Sequence, residues 1–551
     1  MCGIISGTNV ALDMQQKALS KLSARGPDHQ QIIQLNNIFI GHTLLSIFSE
    51  DAIGSTQPIW SEDRTIVGCV NGEIYNYSEL RTLLESHGYK FSLKTDSEVI
   101  IHGIHLMGHK FIPLIDGEFC FVTYNLRTEN WLCAVDRFGT KPLRYYLDKD
   151  SFYIGSSIAA LKPLIGNLSM SVDNILFSLA SQCIPSGKTL FENIYSINPG
   201  HYLLIDKDLS TKNVCYVSAN KDNNLFDLNK IEYLLEQAII KRVPKSKKFS
   251  LALSSGIDSS LIAYYLQKNK IDFDIFSIDF LDSEFSERND ITLFLSDHNM
   301  SSSFIDISEY NLISNFPKVT LNSENLSINP HAVGKYIINK TMLDSGHKVC
   351  FTGDGSDELF FGYSHFHTRD PYQFITDSGN LSKGYNDIIN FNITLDTKYI
   401  LSESQGTAQQ LYYKYWLNEY GLKLLGDSQS ASIGQEHRYP FLDYKLHDYI
   451  ASIDNFCELN YPSKTVLRNI VGRWNRRLAL VPKRPFTSHR ISNKWIPLFE
   501  EYVFENNKLH NLGIFDRNKV VEYVYRLSTE HMPNRIVLAQ LLSLGILLKD
   551  M

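Results

Sequence analysis

The chain has 551 residues with a formal net charge of −7, and its hydrophobic content of 43% is that of a globular protein. This balance argues against a nucleic-acid-coating protein, because such proteins need a surplus of basic side chains. The 8 cysteines form no C-x-x-C pair, which predicts a reducing cytoplasmic setting, and neither a signal peptide nor an apolar run of membrane-spanning length is visible.

Residues 1–205 contain short alternating stretches separated by turn residues, which predict strands and hairpins of antiparallel sheets. Helical patterns such as SELRTLLESHG lie between them. The stretch 206–224 is polar and rich in turn residues, so it predicts a linker. The strand candidates are NNIFIGHTLLSI, RTIVGCVNGEIYN, GEFCFVTYNLRTENWLCAVD, SFYIGSS and HYLLID.

Beyond this stretch, helical patterns alternate with the short apolar segments FSLALSSG, FDIFSIDF and KVCFTGDG. Such alternation predicts a parallel sheet with crossover helices. The last third of the chain has mainly helical patterns. The basic run KRVPKSKK (241–248) precedes the first of these strands and predicts a solvated loop in preference to an anion site.

The chain opens MCGIISG. Removal of the initiator methionine would make Cys2 the first residue, which would then carry a thiol nucleophile and a free α-amine. An α-amine with its usual pKa of about 7.7–8.0 is partly neutral near pH 7, so it can accept the thiol proton. The opening predicts an N-terminal nucleophile only if other motifs agree with it.

Four further motifs follow in the first half of the chain. NGEIYN (71–76) offers an amide side chain and a glycine N–H as oxyanion donors. TDSEVI (95–100) puts an acid on a predicted strand-to-helix turn, where it could hold the ammonium of a ligand. RGPD (25–28) is a charged turn, and DRFGTKPLRYY (136–146) is a turn in a strand pair.

Together and in this order, these segments resemble the class II glutamine amidotransferase domain over roughly 1–205. The resemblance implies an αββα N-terminal-nucleophile (Ntn) hydrolase sandwich in which Cys2 attacks the side-chain amide of glutamine, forms a thioester and releases ammonia. It also implies that the Cys2 amine is the base and that Asn71 and Gly72 form the oxyanion hole. The implied glutamine-binding residues are Leu45, Ser46, Asn71, Gly72, Glu73 and Asp96.

One position departs from the family pattern. Members of the family commonly carry an arginine that clamps the glutamine α-carboxylate, and here Leu44 in HTLLSI (42–47) takes its place. The lost charge-assisted pair would be worth about 1.5–3 kcal/mol. The sequence therefore predicts weaker glutamine binding, or a substitute cation from elsewhere in the chain.

LALSSGIDSS (251–260) is an apolar strand followed by small residues, an acid and hydroxyls. Small residues let backbone N–H groups approach phosphate oxygens at a helix start. The stretch is no Walker A loop and resembles the pyrophosphate loop of the N-type ATP pyrophosphatases. Ser255 replaces one glycine, which preserves the loop unless that position needs a positive φ.

The next signature, FTGDGSDELFFGY (351–363), carries paired acids after a strand and suggests magnesium binding. GQEHRYPFLD (434–443), SKTVLRNI (463–470) and VPKRPF (481–486) follow it. Combined with the Cys2 domain, they resemble the glutamine-hydrolysing asparagine synthetase family over nearly the whole chain. The resemblance implies a second domain, 225–551, with a parallel sheet like that of the adenine nucleotide alpha hydrolases.

The resemblance also implies the roles of the residues in this domain. A substrate carboxylate would attack the α-phosphate of ATP to form an acyl-AMP, which ammonia converts to an amide. Asp258 and Asp357 would hold Mg²⁺, Lys464 would neutralise the pyrophosphate, and Asp354 would lie near the acyl carbonyl. The remaining implied ATP contacts are Ala252, Leu253, Ser254, Ser255, Gly256, Ser259, Ile278, Thr352 and Gly353.

The implied substrates are glutamine, ATP and aspartate, with no nucleic acid or membrane partner, and family members often pair as homodimers. Other readings stay open at this point: a relative that amidates another carboxylate for a surface polysaccharide or secondary metabolite, a β-lactam-synthetase-like ring closer, or a non-catalytic binding protein. Many relatives have glutamate at the position of Asp354, so this shorter acid, like Leu44 and Ser255, favours another acceptor. Cys2 and NGEIYN argue against ring closure, and Asp258, Asp357 and Lys464 argue against a binding protein.

Overall fold

The fold is taken from a computed structural model of the 551-residue chain. It describes all residues except 9, 48–55, 94, 219–223, 246, 282–285, 368–384, 386, 390–412, 483–487 and 529–533. Most of VPKRPF (481–486) therefore lies outside the described residues. Among the described residues, no helix combines the length and the apolar character needed to cross a bilayer.

The N-terminal half contains two six-stranded antiparallel sheets. The first has the strand order β10-β8-β9-β1-β3-β2 and the second has the order β12-β11-β7-β6-β5-β4. Cys2 immediately precedes the central strand β1 of the first sheet, and Asn71 and Gly72 lie on β5 of the second. The strands are β1 (Gly3–Thr8), β2 (His29–Leu35), β3 (Ile38–Leu44), β4 (Ile59–Trp60), β5 (Ile66–Ile74), β6 (Gly117–Asn125), β7 (Asn130–Val135), β8 (Arg144–Leu147), β9 (Phe152–Gly155), β10 (Ile194–Ser196), β11 (His201–Ile205) and β12 (Thr211–Cys215).

Three apolar clusters place these sheets in a four-layer αββα sandwich, as expected. Residues such as Ile4, Val67 and Cys120 fill the space between the sheets, while helices cover both outer faces, as Ile100 of α3 and Leu161 of α4 illustrate. The alternation of side chains along each strand makes this possible, because successive residues face opposite layers. The helices are α1 (Leu12–Ser20), α2 (Tyr77–Ser86), α3 (Glu98–Met107), α4 (Ile158–Ile165) and α5 (Val172–Ser181), with a 3₁₀ helix at Gly108–Leu114.

The C-terminal half is built on a five-stranded parallel sheet with the order β15-β14-β13-β16-β17. This confirms the predicted parallel sheet and the three predicted strands. The strands are β13 (Phe249–Ala252), β14 (Asp274–Phe280), β15 (Ser303–Ile307), β16 (Val349–Phe351) and β17 (Glu436–Arg438).

Helices make up most of the rest of this half, as the sequence predicts. The long C-terminal helix shares one apolar core with the first sheet and its helices, and Gln540 on it donates to the Ser178 carbonyl at 2.9 Å. The α-helices are α6 (Leu228–Ile240), α7 (Ile257–Lys268), α8 (Arg288–Asp297), α9 (Glu309–Ser323), α10 (His331–Asp344), α11 (Ser356–Leu359), α12 (Ser428–Ala431), α13 (Tyr444–Ala451), α14 (Phe456–Leu459), α15 (Thr465–Gly472), α16 (Arg476–Ala479), α17 (Ile496–Phe499), α18 (Asn507–Asn511), α19 (Arg517–Tyr525) and α20 (Arg535–Asp550). Segments Tyr413–Asp427 and Glu500–Phe504 are π-helical, and Ser364–His367, Asn493–Trp495 and Arg526–Ser528 are 3₁₀ helices.

Three local predictions are wrong. Residues 211–215, predicted as linker, form β12 and pair with β11, so they belong to the second antiparallel sheet. The predicted solvated run 241–248 includes Arg242, which is buried and bonds to Glu118 at 2.8 Å across the domain interface. No strand precedes Asp96, because residues 87–93 are turns and irregular chain.

Candidate active site

The glycine after Cys2 is required by close packing. A Cβ at Gly3 would lie 2.6 Å from Thr43 Oγ1 and 2.8 Å from Leu22 Cβ, so β1 can approach β3 and the α1 end only with glycine there. The backbone of Cys2 is held on both sides. Its nitrogen donates to Asn71 Oδ1 at 2.9 Å, and its carbonyl accepts from Arg25 Nε at 3.3 Å.

Asn71 and Gly72 play different parts in the structure. Asn71 fixes the Cys2 nitrogen, its Nδ2 donates to Cys120 Sγ at 3.7 Å, and it does not line the pocket beside Cys2. Gly72 does line that pocket. Only glycine fits at position 72, because its φ is +133° and a Cβ there would lie 1.9 Å from the Glu118 carbonyl oxygen.

The loops around the pocket are tied down by acids from two of the predicted motifs. Asp96 Oδ2 accepts the Ile74 N–H at 2.6 Å and so fixes the end of β5. Asp28 of RGPD accepts the Ser46 N–H at 2.7 Å, which holds the HTLLSI loop against the pocket. Both motifs therefore fix the backbone of the loops around Cys2.

The pocket beside Cys2 holds about 30 Å³ of free space, room for roughly one water molecule. Acids dominate its charged lining, and one of them, Glu436, comes from β17 of the parallel sheet. Among the described lining residues, none is a lysine, arginine or histidine. The lining comprises Cys2, Leu44, Leu45, Ser46, Ile47, Gln57, Val70, Gly72, Glu73, Thr95, Asp96, Ser97 and Glu436.

Burial shifts the titration of the groups around this pocket. Desolvation lowers the pKa of the amino terminus, carried by Met1, to about 6 and raises the pKa of the Cys2 thiol. It also raises the pKa of Glu73 to about 8 and that of Asp96 to about 6. The lowered value belongs to the Met1 amine and therefore describes the chain that retains Met1. The crowded carboxylates are suited to receive a cation.

The predicted phosphate loop connects β13 to α7. Ser259 Oγ accepts the Ser254 N–H at 3.0 Å, and Ser254 Oγ accepts the Gly256 N–H at 3.3 Å, so the serines shape the turn. Ser255 does not have a positive φ, so its backbone conformation is one that a residue other than glycine adopts without strain. The Ser255 N–H donates to Glu287 Oε2 at 2.9 Å, so a phosphate could use it only after Glu287 moved.

Lys464 lies between the two predicted magnesium ligands. Its Nζ is 2.6 Å from Asp258 Oδ2 and 2.8 Å from Asp357 Oδ1, and its side chain is only 4% exposed. Burial by itself would lower the pKa of Lys464, but the two carboxylates stabilise its charged form more strongly, so the net shift of its pKa is upward. Ser356 Oγ donates to Asp258 Oδ1 at 2.6 Å, which fixes the remaining oxygen.

Several residues predicted to contact ATP divide between the two faces of the sheet. Ala252 and Ile278 pack together beside α10. Leu253 is buried in the cluster under α7, so its backbone alone could face a nucleotide. The Thr352 N–H donates to the Arg438 carbonyl at 3.2 Å, and a Cβ at Gly353 would lie 3.0 Å from Asp258 Cβ. Gly353 thus brings the end of β16 against the phosphate loop.

Asp354 has a partner that the sequence did not predict. Lys335 on α10 bonds to its carboxylate, with Nζ to oxygen distances of 3.1 and 3.3 Å. The two side chains are 30% and 15% exposed, so the pair borders solvent. Burial tends to raise the pKa of Asp354, but the net shift is downward because the Lys335 ammonium stabilises the carboxylate.

Sequence reasoning missed Glu436, Arg438, Lys335 and Gln57 as parts of these sites. Gln57 bonds to both backbone groups of Val70, at 3.0 and 2.7 Å, and lines the Cys2 pocket. The consecutive charged residues in GQEHRYPFLD were the available signal, since charges within a buried strand require partners.

Comparisons with known proteins identify both halves of the chain. The family model described as glutamine amidotransferase domain matches residues 1–216. The family model described as asparagine synthase matches residues 230–547, more than half of the chain.

Curated relatives carry related names. Asparagine synthetase (glutamine-hydrolyzing) 1 of Bacillus subtilis strain 168 is 28% identical over 386 residues, which are 67% of this chain and 60% of the relative. A probable asparagine synthetase (glutamine-hydrolyzing) of Dictyostelium discoideum is 27% identical, and the match covers 67% of this chain and 66% of the relative. The chain thus spans less than two thirds of both. The asparagine synthetase (glutamine-hydrolyzing) of Gallus gallus is 26% identical across 91% of this chain and 87% of its own length.

Solved structures add little. An allosteric regulatory enzyme of purine biosynthesis aligns over 56% of this chain and 80% of its own, at 14% identity, with a TM-score of 0.32. That score is too low to support an argument.

Proposed function

Because the chain belongs to the asparagine synthase family, we propose that it converts aspartate to asparagine, using ATP and ammonia released from glutamine. AMP and pyrophosphate are the other products. The observation that carries the proposal is the presence, in one chain, of an acid-lined pocket at Cys2 and of a serine-rich loop beside Asp258, Lys464 and Asp357.

At the first site, the Cys2 thiolate attacks the side-chain amide carbon of glutamine. The amide nitrogen leaves as ammonia with the proton taken from the thiol, and water then hydrolyses the thioester to glutamate. Once Met1 is removed, the Asn71 contact would hold the Cys2 amine beside its own thiol, where it is suited to act as base. Gly72 lines the pocket where an oxyanion donor is needed. The pocket is smaller than glutamine, so donor binding must widen it.

At the second site, an aspartate side-chain oxygen attacks the α-phosphorus of ATP, and pyrophosphate leaves. Ammonia then attacks the acyl carbon, loses a proton and displaces AMP. The small residues of the loop 254–256 and the N-terminus of α7 are suited to hold the pyrophosphate. Lys464 is suited to neutralise its charge, because a buried ammonium beside two acids stays protonated.

The Lys335–Asp354 pair at the edge of the second site suits an acceptor with two carboxylates. Aspartate has two carboxylates, one to be activated and one to pair with a cation. Lys335 supplies an ammonium beside Asp354, at the solvent-bordering edge of the site. The same pair would fit other acids with a second anionic group, so the acceptor must be identified by its product.

Asp258 and Asp357 would hold Mg²⁺. Both carboxylates reach one Lys464 nitrogen, so they lie close enough to share a partner, and carboxylate pairs completed by phosphate oxygens and water suit this ion. No group of three or more metal-type side chains occurs among the described residues. When bound, the ion supplies charge neutralisation for the phosphates.

The direct test is mass spectrometry of the full-length protein incubated with ATP, magnesium, amide-¹⁵N glutamine and aspartate. We expect ¹⁵N-labelled asparagine, AMP and pyrophosphate in equal amounts. If AMP forms only with a different acid, that acid is the acceptor and aspartate is not. Formation of ADP in place of AMP would contradict the proposed nucleotide chemistry.

A further inference from the structure

The strand β17 belongs to the parallel sheet, yet it contributes to the pocket of the other domain. It pairs with β16 in parallel register, Val349 opposite Glu436 and Phe351 opposite Arg438. Glu436 and Arg438 point to the same side because side chains alternate along a strand, and His437 points to the other side, where it bonds to Asn339 at 3.0 Å. The same strand therefore faces both sites.

Arg438 connects the carboxylates of the Cys2 pocket. Its NH2 group donates to Glu73 Oε2 at 2.9 Å and its Nε donates to Glu436 Oε1 at 3.0 Å. The third guanidinium nitrogen donates to the Arg242 carbonyl at 2.5 Å. All three nitrogens of Arg438 are thus engaged, while Glu73 and Glu436 each offer one oxygen to it.

The other carboxylate oxygens are available to a ligand. In the described part of the chain, neither Glu73 Oε1 nor Glu436 Oε2 accepts a hydrogen bond. Asp96 is the third acid of the lining, and its raised pKa, caused first by burial, has Glu436 among the further causes. Lys141 is a further cation that acts on Glu436. The lining can accommodate one more positive charge.

We propose that Glu436 is a donor-binding residue, which receives the α-ammonium of glutamine together with Glu73 and Asp96. The parallel-sheet domain thereby completes the amidase pocket, and the pocket selects small primary amides that carry an ammonium group. This inference rests on the proposed use of glutamine.

Glu436 could instead act only by holding Arg438 and β17 in place. The two roles differ in what they recognise. A structural role would affect all donors alike, whereas a binding role affects only donors with an ammonium group. Glutaramate, which is glutamine without its α-amino group, provides the comparison.

The experiment uses the full-length protein and the variants Glu436→Gln, which keeps size and hydrogen bonding, and Glu436→Asp, which keeps the charge. Glutamate or glutarate release gives kcat and KM for the two donors, and aspartate-dependent pyrophosphate exchange reports the other site. Glu458→Gln, at an exposed position, is the matched control.

We expect Glu436→Gln to raise the KM for glutamine about tenfold and to leave the KM for glutaramate within about twofold, because one charge-assisted contact is lost. Glu436→Asp should recover part of the loss, and pyrophosphate exchange should remain unchanged. Equal changes for both donors, or an unchanged glutamine KM, would overturn the inference. Wild-type protein that releases no glutamate would instead overturn the proposed function.

Discussion

Around Cys2, Glu73 and Glu436 pair with Arg438 and Asp96 lines the same pocket, whereas beside the loop after β13 Asp258 and Asp357 both pair with Lys464. The first group comes from two domains and can take up a further cation. The second lies wholly in the parallel-sheet domain and already has its cation between its acids. The Cys2 pocket therefore depends on contact between domains, whereas the proposed binding of phosphates and a metal beside Lys464 requires the charges there to rearrange.

The largest expected effect is that of replacing Cys2, which should abolish glutamine use and leave ammonia use intact. We expect Cys2→Ala to lower glutamine-dependent asparagine formation about 1,000-fold or more, because the nucleophile is lost, and to leave ammonia-dependent formation within about twofold. Parallel assays with glutamine and with ammonium chloride measure both. Cys215→Ala, at an exposed cysteine, should change neither rate. Retention of Met1 in active enzyme, seen by intact mass, would contradict the N-terminal role of Cys2.

A substitution of Lys464 should impair the second site and spare glutamine hydrolysis. Lys464→Met leaves Asp258 and Asp357 facing each other without their cation, so we expect AMP formation to fall about 100-fold with either nitrogen source. Glutamine hydrolysis without ATP should persist. Unfolding in urea should show a stability loss of about 3 kcal/mol, the typical result of breaking a buried ion pair. Lys464→Arg keeps the charge and should recover stability more than activity, and equal loss of both activities in Lys464→Met would argue against separate sites.

A pH profile sharpens the contrast without a mutation. Burial raises the pKa of Glu73 to about 8 and that of Asp96 to about 6, so both acids gain charge as pH rises through this range. We therefore expect kcat/KM for glutamine hydrolysis to rise about tenfold between about pH 5.5 and 7.5. Aspartate-dependent pyrophosphate exchange should lack this rise, and a flat hydrolysis profile would show that these groups do not titrate in catalysis.

The smallest expected effect concerns Leu44, which lines the Cys2 pocket at the position where the family resemblance predicts an arginine. Leu44→Arg should lower the glutamine KM up to about tenfold, since a charge-assisted pair with the α-carboxylate contributes about 1.5–3 kcal/mol and some of it is offset by ordering the side chain. Leu44→Met is the control for volume and should change the KM less than twofold. An unchanged KM in Leu44→Arg would mean that the α-carboxylate binds elsewhere.

By itself, the amino-acid sequence determined the local features of this protein. Alternation of apolar residues identified the strands β3, β5, β6, β7, β9 and β11, and short apolar segments identified β13, β14 and β16. The Cys2–Gly3 opening and the serine-rich turn after β13 predicted the two sites. Strand patterns and turn sequences depend on neighbours in the chain, which is why pattern and spacing reveal them.

The tertiary structure decided which distant charges meet. Arg438 and Glu73 are 365 residues apart, and only the order β13-β16-β17 in the parallel sheet brings them together. The same holds for Lys335 beside Asp354 and for buried Arg242, whose basic neighbours in sequence predicted a solvated loop. A charged side chain has no periodicity that reveals its partner, so its burial and its role follow from the packing of whole domains.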